Sequence, residues 1–265
     1  MSPAYVLLSI TILLSSTFGA RVSSSITRQQ HNYITEVSSV GSNANKVGDS
    51  VCSLCVEFAG QAVNGLLQFI LQVGVVDSCG DLCQAFADKI GNQAIGFVCT
   101  ILCDVVGVKE FVNIIQKEDL DPIYYCELIP VCPVNDNGDA KFTTFEIDPK
   151  SGPQGVFDIS FEYVSKNGTG TGQISLDLDT VDGIPLGQSF LHELAPAGTY
   201  DGTFKLNAEP DPDCDPTAGP CEQWLPGNYT VKMAICNGEC GSKHPNSAIY
   251  DVASATFTIT DNNST

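Results

Sequence analysis

The chain has 265 residues, twelve cysteines and a formal net charge of −19. With 12 basic residues against 31 acidic ones it has no basic face to neutralise phosphates, which argues against nucleic acid as a partner. The charge is uneven: residues 48–133 hold 3 basic and 11 acidic side chains, and residues 134–265 hold 6 and 19.

In residues 1–20, an apolar run from Ala4 to Leu14 is followed by the small residues Ser15, Ser16, Gly19 and Ala20. The pattern predicts a secretory signal peptide cut near Gly19 or Ala20, without a basic residue ahead of the run. That run is too short to span a membrane. No later segment has the length and polarity of a spanning helix, because Gln61, Asn64, Gln68 and Gln72 interrupt the apolar stretch after Glu57 at helical spacing. An even cysteine count behind a signal peptide predicts a secreted, extracellular protein with disulfides rather than thiols. Residues 21–48, rich in Ser, Asn and Gln and without periodicity, read as a flexible leader.

Residues 49–133 form a helical module. Asp49 or Ser50 caps a first helix reaching about Gln72, a second carries Cys79, Cys83, Phe86 and Ile90, and a third covers about 93–106. Phe111, Ile114 and Ile115 mark a fourth, and Asp121-Pro122 starts a short fifth. Eight cysteines come in four pairs: Cys52/Cys55, Cys79/Cys83, Cys99/Cys103 and Cys126/Cys132. Residues four apart share a helix face. If the second and third helices run antiparallel, Cys79 meets Cys103 and Cys83 meets Cys99. The outer pairs can then close the ends together, Cys52 to Cys132 and Cys55 to Cys126. A metal reading of C-x2-C is disfavoured, since no second C-x2-C follows and no histidine lies in the module. The first and third helices are apolar over more than one stripe. Either packing hides that surplus or it makes a lipid-contacting or dimer face, for which Leu66, Phe69, Ile70, Phe97, Ile101 and Leu102 are the candidates.

Asn135-Asp136-Asn137-Gly138 makes residues 134–140 a turn-rich linker, after which the period becomes twofold. Seven strands are expected in a domain of residues 141–262: 141–147, 156–163, 172–178, 187–191, 200–206, 228–235 and 248–260. Their number and spacing predict an immunoglobulin-like β-sandwich, with Tyr229 bonding nearby backbone as a tyrosine corner. The fold class expected is therefore α + β, a disulfide-rich helical bundle followed by a sandwich. The acidic run with Asp211, Asp213 and Asp215 reads better as a solvated loop stapled by Cys214–Cys221 than as a calcium loop. Cys236–Cys240 would be a second local bridge, although four cysteines allow three pairings. Acceptor triplets for N-glycosylation occur at Asn167, Asn228, Asn262 and Asn263.

The spacing C-x2-C at Cys52–Cys55, the helical hairpin staple and C-x5-C at Cys126–Cys132 resemble a saposin B-type domain, a family of small helical bundles with nested disulfides that bind or perturb lipids. This chain departs from the usual six cysteines by carrying a second rung. The motifs S-G-P-Q-G at 151–155, N-G-T-G-T-G at 167–172 and C-N-G-E-C-G-S-K-H-P at 236–245 resemble the tail of countin-family proteins. Those are secreted saposin-domain proteins of social amoebae that act in a complex limiting the size of multicellular groups. The resemblance implies a signalling role with other secreted proteins as partners. It also leaves two alternatives: a lipid-binding or membrane-perturbing effector at a membrane surface, or an activator of a lysosomal lipid hydrolase. The cationic membrane-lysing type is disfavoured by the acidic charge, and a histidine-triggered pore by the placement of His31, His192 and His244 outside the module. No catalytic constellation stands out: His192-Glu193 has no HExxH partner, no G-x-S-x-G occurs, and Gly168–Gly172 precedes no helix. A non-enzymatic protein without cofactor is expected, with Trp224 as packing rather than a sugar platform.

Overall fold

The computed structural model describes residues 33–38, 50–74, 78–117, 121–183, 185–217 and 221–261. The expected signal peptide, much of the leader, His31 and the acceptors Asn262 and Asn263 lie outside them. The described chain is α + β, with five helices followed by most of two sheets.

The helices are α1 (Val51–Val73), α2 (Cys79–Ile90), α3 (Gln93–Val106), α4 (Val108–Ile115) and α5 (Pro122–Leu128). Their starts have local causes. The side chains of Ser50, Ser78, Asn92 and Asp121 accept hydrogen bonds from the first free backbone N–H groups of α1, α2, α3 and α5, and Pro122 supplies the fixed φ of a first helical residue. Between α2 and α3, Gly91 turns the chain at a φ of 71°.

The α2–α3 hairpin is laddered by Cys79–Cys103 and Cys83–Cys99, each with its Cα atoms 5.6 Å apart. With each Cα about 2.3 Å off its helix axis, such rungs set the axes about 10 Å apart, at the usual packing distance, and nearer the Gly91 turn the two helices come closer still. Gly96 supplies the space: a Cβ there would lie 2.5 Å from the Cβ of Ala87, one turn beyond the second rung. Leu66, Leu82, Phe86, Leu102 and Phe111 fill the core around the ladder. The outer bridges Cys52–Cys132 and Cys55–Cys126 span 80 and 71 residues. In the chain-entropy account, closing the wider loop restricts the unfolded chain by about 4.5 kcal/mol. By length and composition α1 would suffice to cross a membrane, which corrects the expectation that no segment would. In the fold its apolar face packs on the core while Gln61, Asn64 and Gln68 stay outside.

The strands are β1 (Ile34–Ser38), β2 (Lys141–Asp148), β3 (Ser151–Gly152), β4 (Gly155–Ser165), β5 (Gly172–Asp179), β6 (Leu186–His192), β7 (Gly198–Ala208), β8 (Gly227–Asn237) and β9 (Ala248–Ile259). One sheet has the order β1-β7-β4-β2 and the other β3-β9-β8-β5-β6. They share one core, in which Phe157 of β4 meets Phe257 of β9 at 4.3 Å between ring centroids. Tyr229 is buried, and its hydroxyl donates to the carbonyl of Leu225 at 2.7 Å. Trp224 is wholly buried and takes the edge of Tyr33 at 5.2 Å, which makes it a packing residue.

Tyr33 leads to a correction. The expected leader contains β1, which pairs antiparallel with β7, Ile34 opposite Leu206. Tyr33 and Ile34 are buried in the β core, and the Asn207 N–H donates to the Tyr33 carbonyl at 2.8 Å. Five residues are too few for a periodicity to stand out, so only the tertiary pairing defines this strand. From Tyr33 on, the described chain thus contributes a strand to the β unit, makes the helical unit and returns.

The close approach of α2 and α3 is testable. Gly96→Val should lower stability by about 1–3 kcal/mol, the usual cost of overpacking, and raise the fraction of chains whose Cys83 is alkylated without reduction. Gly80→Ala, in α2 with open space around it, should gain about 0.5–1 kcal/mol. Thermal unfolding and thiol labelling of the two variants check both.

Candidate functional site at the seam of the two units

The two cysteine pairs that close the helical unit bring its first turn and its last residues to one end, and that end meets the β unit. Three contacts form the floor of the seam. The Thr171 N–H donates to the Pro133 carbonyl at 2.9 Å, the Asp139 N–H to Gly168 at 3.0 Å, and the Asn135 side-chain amide to Asn167 at 3.2 Å. The Thr171 hydroxyl lies 3.8 Å from Cys52 Sγ. Thus the N-G-T-G-T-G stretch is the strip on which the linker lies. It is small because backbone passes at contact distance: a Cβ on Gly172 would overlap the carbonyl oxygen of Cys236. Asp139 Oδ1 fastens the strip by accepting from Ser165 Oγ and the N–H groups of Lys166 and Asn167. Those backbone bonds, with Asn167 first, hold its carboxyl below the usual range.

The C-N-G-E-C-G-S-K-H-P stretch builds the facing wall. Cys236–Cys240 closes a tight loop, and the Cys240 N–H donates to Gln173 Oε1 at 3.2 Å. Beyond it, the His244 ring stacks on Tyr124 of α5 at 4.5 Å, with 9° between the planes. Asn246 Nδ2 donates to Glu127 Oε2 of α5 at 3.2 Å. On the other flank the Ser50 hydroxyl donates to Glu193 Oε1 while capping α1. Between these contacts lies a cleft of about 360 Å³, lined by Ala59, Val63 and Asn64 of α1, Tyr125 of α5, and Gln173 and Glu239 of the β unit. Its walls combine apolar surface with amide and carboxylate groups.

Two titratable groups at the seam are strongly perturbed. Burial pushes the Glu127 carboxyl up to about 7. Asp121 and Asp136 add repulsion, and the Asn246 amide opposes the rise. Burial pushes the His192 imidazole down to about 4. His192 Nε2 shares a 2.8 Å hydrogen bond with Thr169 Oγ1, which also accepts from the Ala195 N–H at 3.1 Å. That network folds the end of β6 over the strip.

The residues expected to touch lipid are divided by the fold. Leu66, Phe69, Ile70 and Leu102 are buried in the helical core, so the expectation that they line an open face is corrected. They lie on the stripes that meet the other helices. Phe97, 68% exposed, and the partly exposed Ile101 reach the surface, with Val105, 49% exposed, two turns along from Phe97 on α3. Asn167 and Asn228 are both exposed, and Asn228 Oδ1 accepts from Thr258 at 2.8 Å. Cys214–Cys221 closes the acidic loop, and no cluster of three metal-ligating side chains occurs among the described residues. Sequence reasoning did not assign roles to Glu127, Tyr124, Thr171 or Asn246. Their signal was indirect: the partners of all four lie in or beside the cysteine frame, the linker or the tail motifs at 167–172 and 236–245.

Comparison with known proteins accords with this division. Residues 50–130 match the Countin N-terminal domain, and residues 140–264 the Countin C-terminal domain. The chain is 39% identical to Countin-1 of Dictyostelium discoideum over 209 residues, 78% of this chain and 77% of that protein. It is 34% identical to Countin-2 of the same organism over 215 residues, 80% of this chain and 79% of the relative. Likeness to solved structures is slight: the C-terminal domain of wzt covers 50% of this chain at 14% identity, with a TM-score of 0.33.

Gly172→Ala should cost several-fold more stability than Gly80→Ala gains, on the order of 3 kcal/mol or more, because backbone blocks the added Cβ; chemical denaturation measures it. His192 gives a pH signature. Its folded pKa lies below the unfolded value of 6.5, so its contribution is complete above pH 6.5 and is lost as pH falls towards 4. The loss amounts to about 3 kcal/mol. His192→Gln should flatten the fall in melting temperature over that window relative to the wild-type chain.

Proposed function

Since the chain belongs to the countin family, we propose that it is a secreted, non-enzymatic factor that works with other secreted proteins in an extracellular complex limiting the size of multicellular groups. The observation that carries this reading is the match of both units to the two countin domains, joined through the tail stretches 167–172 and 236–246. Six disulfides suit an oxidising compartment. In this reading the helical unit is a saposin B-type bundle with an extra rung, the β unit is an immunoglobulin-like sandwich, and the exposed Asn167 and Asn228 carry N-glycans.

A second reading has its own support. Phe97, Ile101 and Val105 give α3 an apolar surface stripe, which fits lipid binding or membrane docking. The stripe has Asp104 beside it and no cation on its helix, which favours a neutral over an anionic surface.

Deleting the gene in a group-forming host, or depleting the protein from conditioned medium, should increase the number of cells per group. Unchanged group size would overturn the signalling role. Co-sedimentation with neutral liposomes at pH 5 and pH 7 tests the second reading; Phe97→Ser should reduce binding severalfold, and no binding by the wild-type chain at either pH rejects it.

A further inference from the structure

We propose that Glu127 is a proton-operated latch on the seam: neutral, it keeps α5 closed against the segment 236–247; ionised, it loosens that contact. Three observations place it there. First, Glu127 makes a direct side-chain bond between the units, its Oε2 accepting from Asn246 Nδ2 at 3.2 Å. Second, its Oε1 is buried without a hydrogen-bond partner, so an ionised carboxylate has one oxygen neither hydrated nor paired. Third, the charges that act on it are both negative: Asp121, fixed at the head of the same helix by its bond to the Tyr124 N–H, and Asp136 in the linker. The segment that supplies Asn246 also carries Glu239, Lys243 and His244, the last stacked on Tyr124, and the flank carries Glu193 bonded to Ser50.

These groups make the contact one-sided in pH. Closing the seam around Glu127 removes water from a carboxyl that is ordinarily ionised near neutrality, in a site that already holds two carboxylates. Proton uptake removes the buried charge and both repulsions, yet keeps an oxygen to accept from Asn246. The closed state therefore binds a proton more tightly than the open one. The stabilisation is complete below the open-state value of 4.5 and is lost as pH rises through about 7. Loosening would free the Tyr124–His244 stack with it, because both contacts join the same helix to the same segment, and would widen the adjoining cleft between Tyr125 and Glu239.

Hydrogen exchange of the full chain, corrected for the intrinsic pH dependence of exchange, tests this. Peptides covering 122–128 and 236–247 should lose protection about tenfold between pH 5.5 and pH 8, a figure already reduced for partial exposure to solvent. Peptides from β4 should keep theirs. Glu127→Gln, which mimics the neutral acid, should remain protected at both values. Asn246→Ala should be poorly protected even at pH 5.5, and His244→Gln should keep the wild-type pH slope. A wild-type chain without the slope, a Glu127→Gln chain that retains it, a His244→Gln chain that lacks it, or an Asn246→Ala chain as protected as the wild type at pH 5.5 would each overturn the latch.

Discussion

Everything in this fold depends on where the helical unit is tied shut. Cys52 and Cys55 lie in the first two turns of α1, and Cys132 and Cys126 near the last residues of the unit; their bridges hold the paired Cα atoms 4.7 and 5.8 Å apart. The chain must therefore leave the unit where it entered. Pro133 follows Cys132 directly, so the linker has no length in which to wander before it meets the β unit. The covalent closure thus sets the seam's location, and the surface chemistry at that one end decides what the seam can do.

On the other side the β unit meets this end with residues chosen for closeness. Thr171 and Gly172 let the linker and the end of β8 approach at backbone distance, and the Cys236–Cys240 loop holds Gln173 against the cleft. The cost of such closeness is desolvation of polar groups, and the seam holds two with opposite consequences. His192 is most comfortable neutral, which favours the fold at higher pH. Glu127 is most comfortable protonated, which favours the seam at lower pH. The first acts through the interior of the β unit and the second through the junction, so acidification weakens one while it tightens the other.

Much of the architecture was legible in the sequence because cysteine spacing and local capping are short-range signals. The helical start at Ser50, the Asp121-Pro122 start of α5 and the antiparallel matching of Cys79 and Cys83 with Cys103 and Cys99 needed only helix geometry. The seven longer strands showed through alternation such as Phe157, Ile159 and Phe161. What stayed hidden was long-range. The strand at 34–38 is defined by pairing with β7, some 170 residues later, and by the packing of Tyr33 on Trp224. The burial of Leu66, Phe69, Ile70 and Leu102 depended on which helices face which, and a composition surplus cannot say that. Glu127 looked like one carboxylate among 31 acidic residues until Asn246, 119 residues away, supplied its partner.

Peptide mapping of the secreted chain by mass spectrometry under nonreducing conditions tests the tied end most directly. The structure predicts peptides joining Cys52 to Cys132 and Cys55 to Cys126, with no bridge between the helical unit and the four cysteines of the β unit. Any of the four cysteines Cys52, Cys55, Cys126 and Cys132 joined to a different partner would contradict the account, since the unit would then no longer be closed at the end that meets the seam.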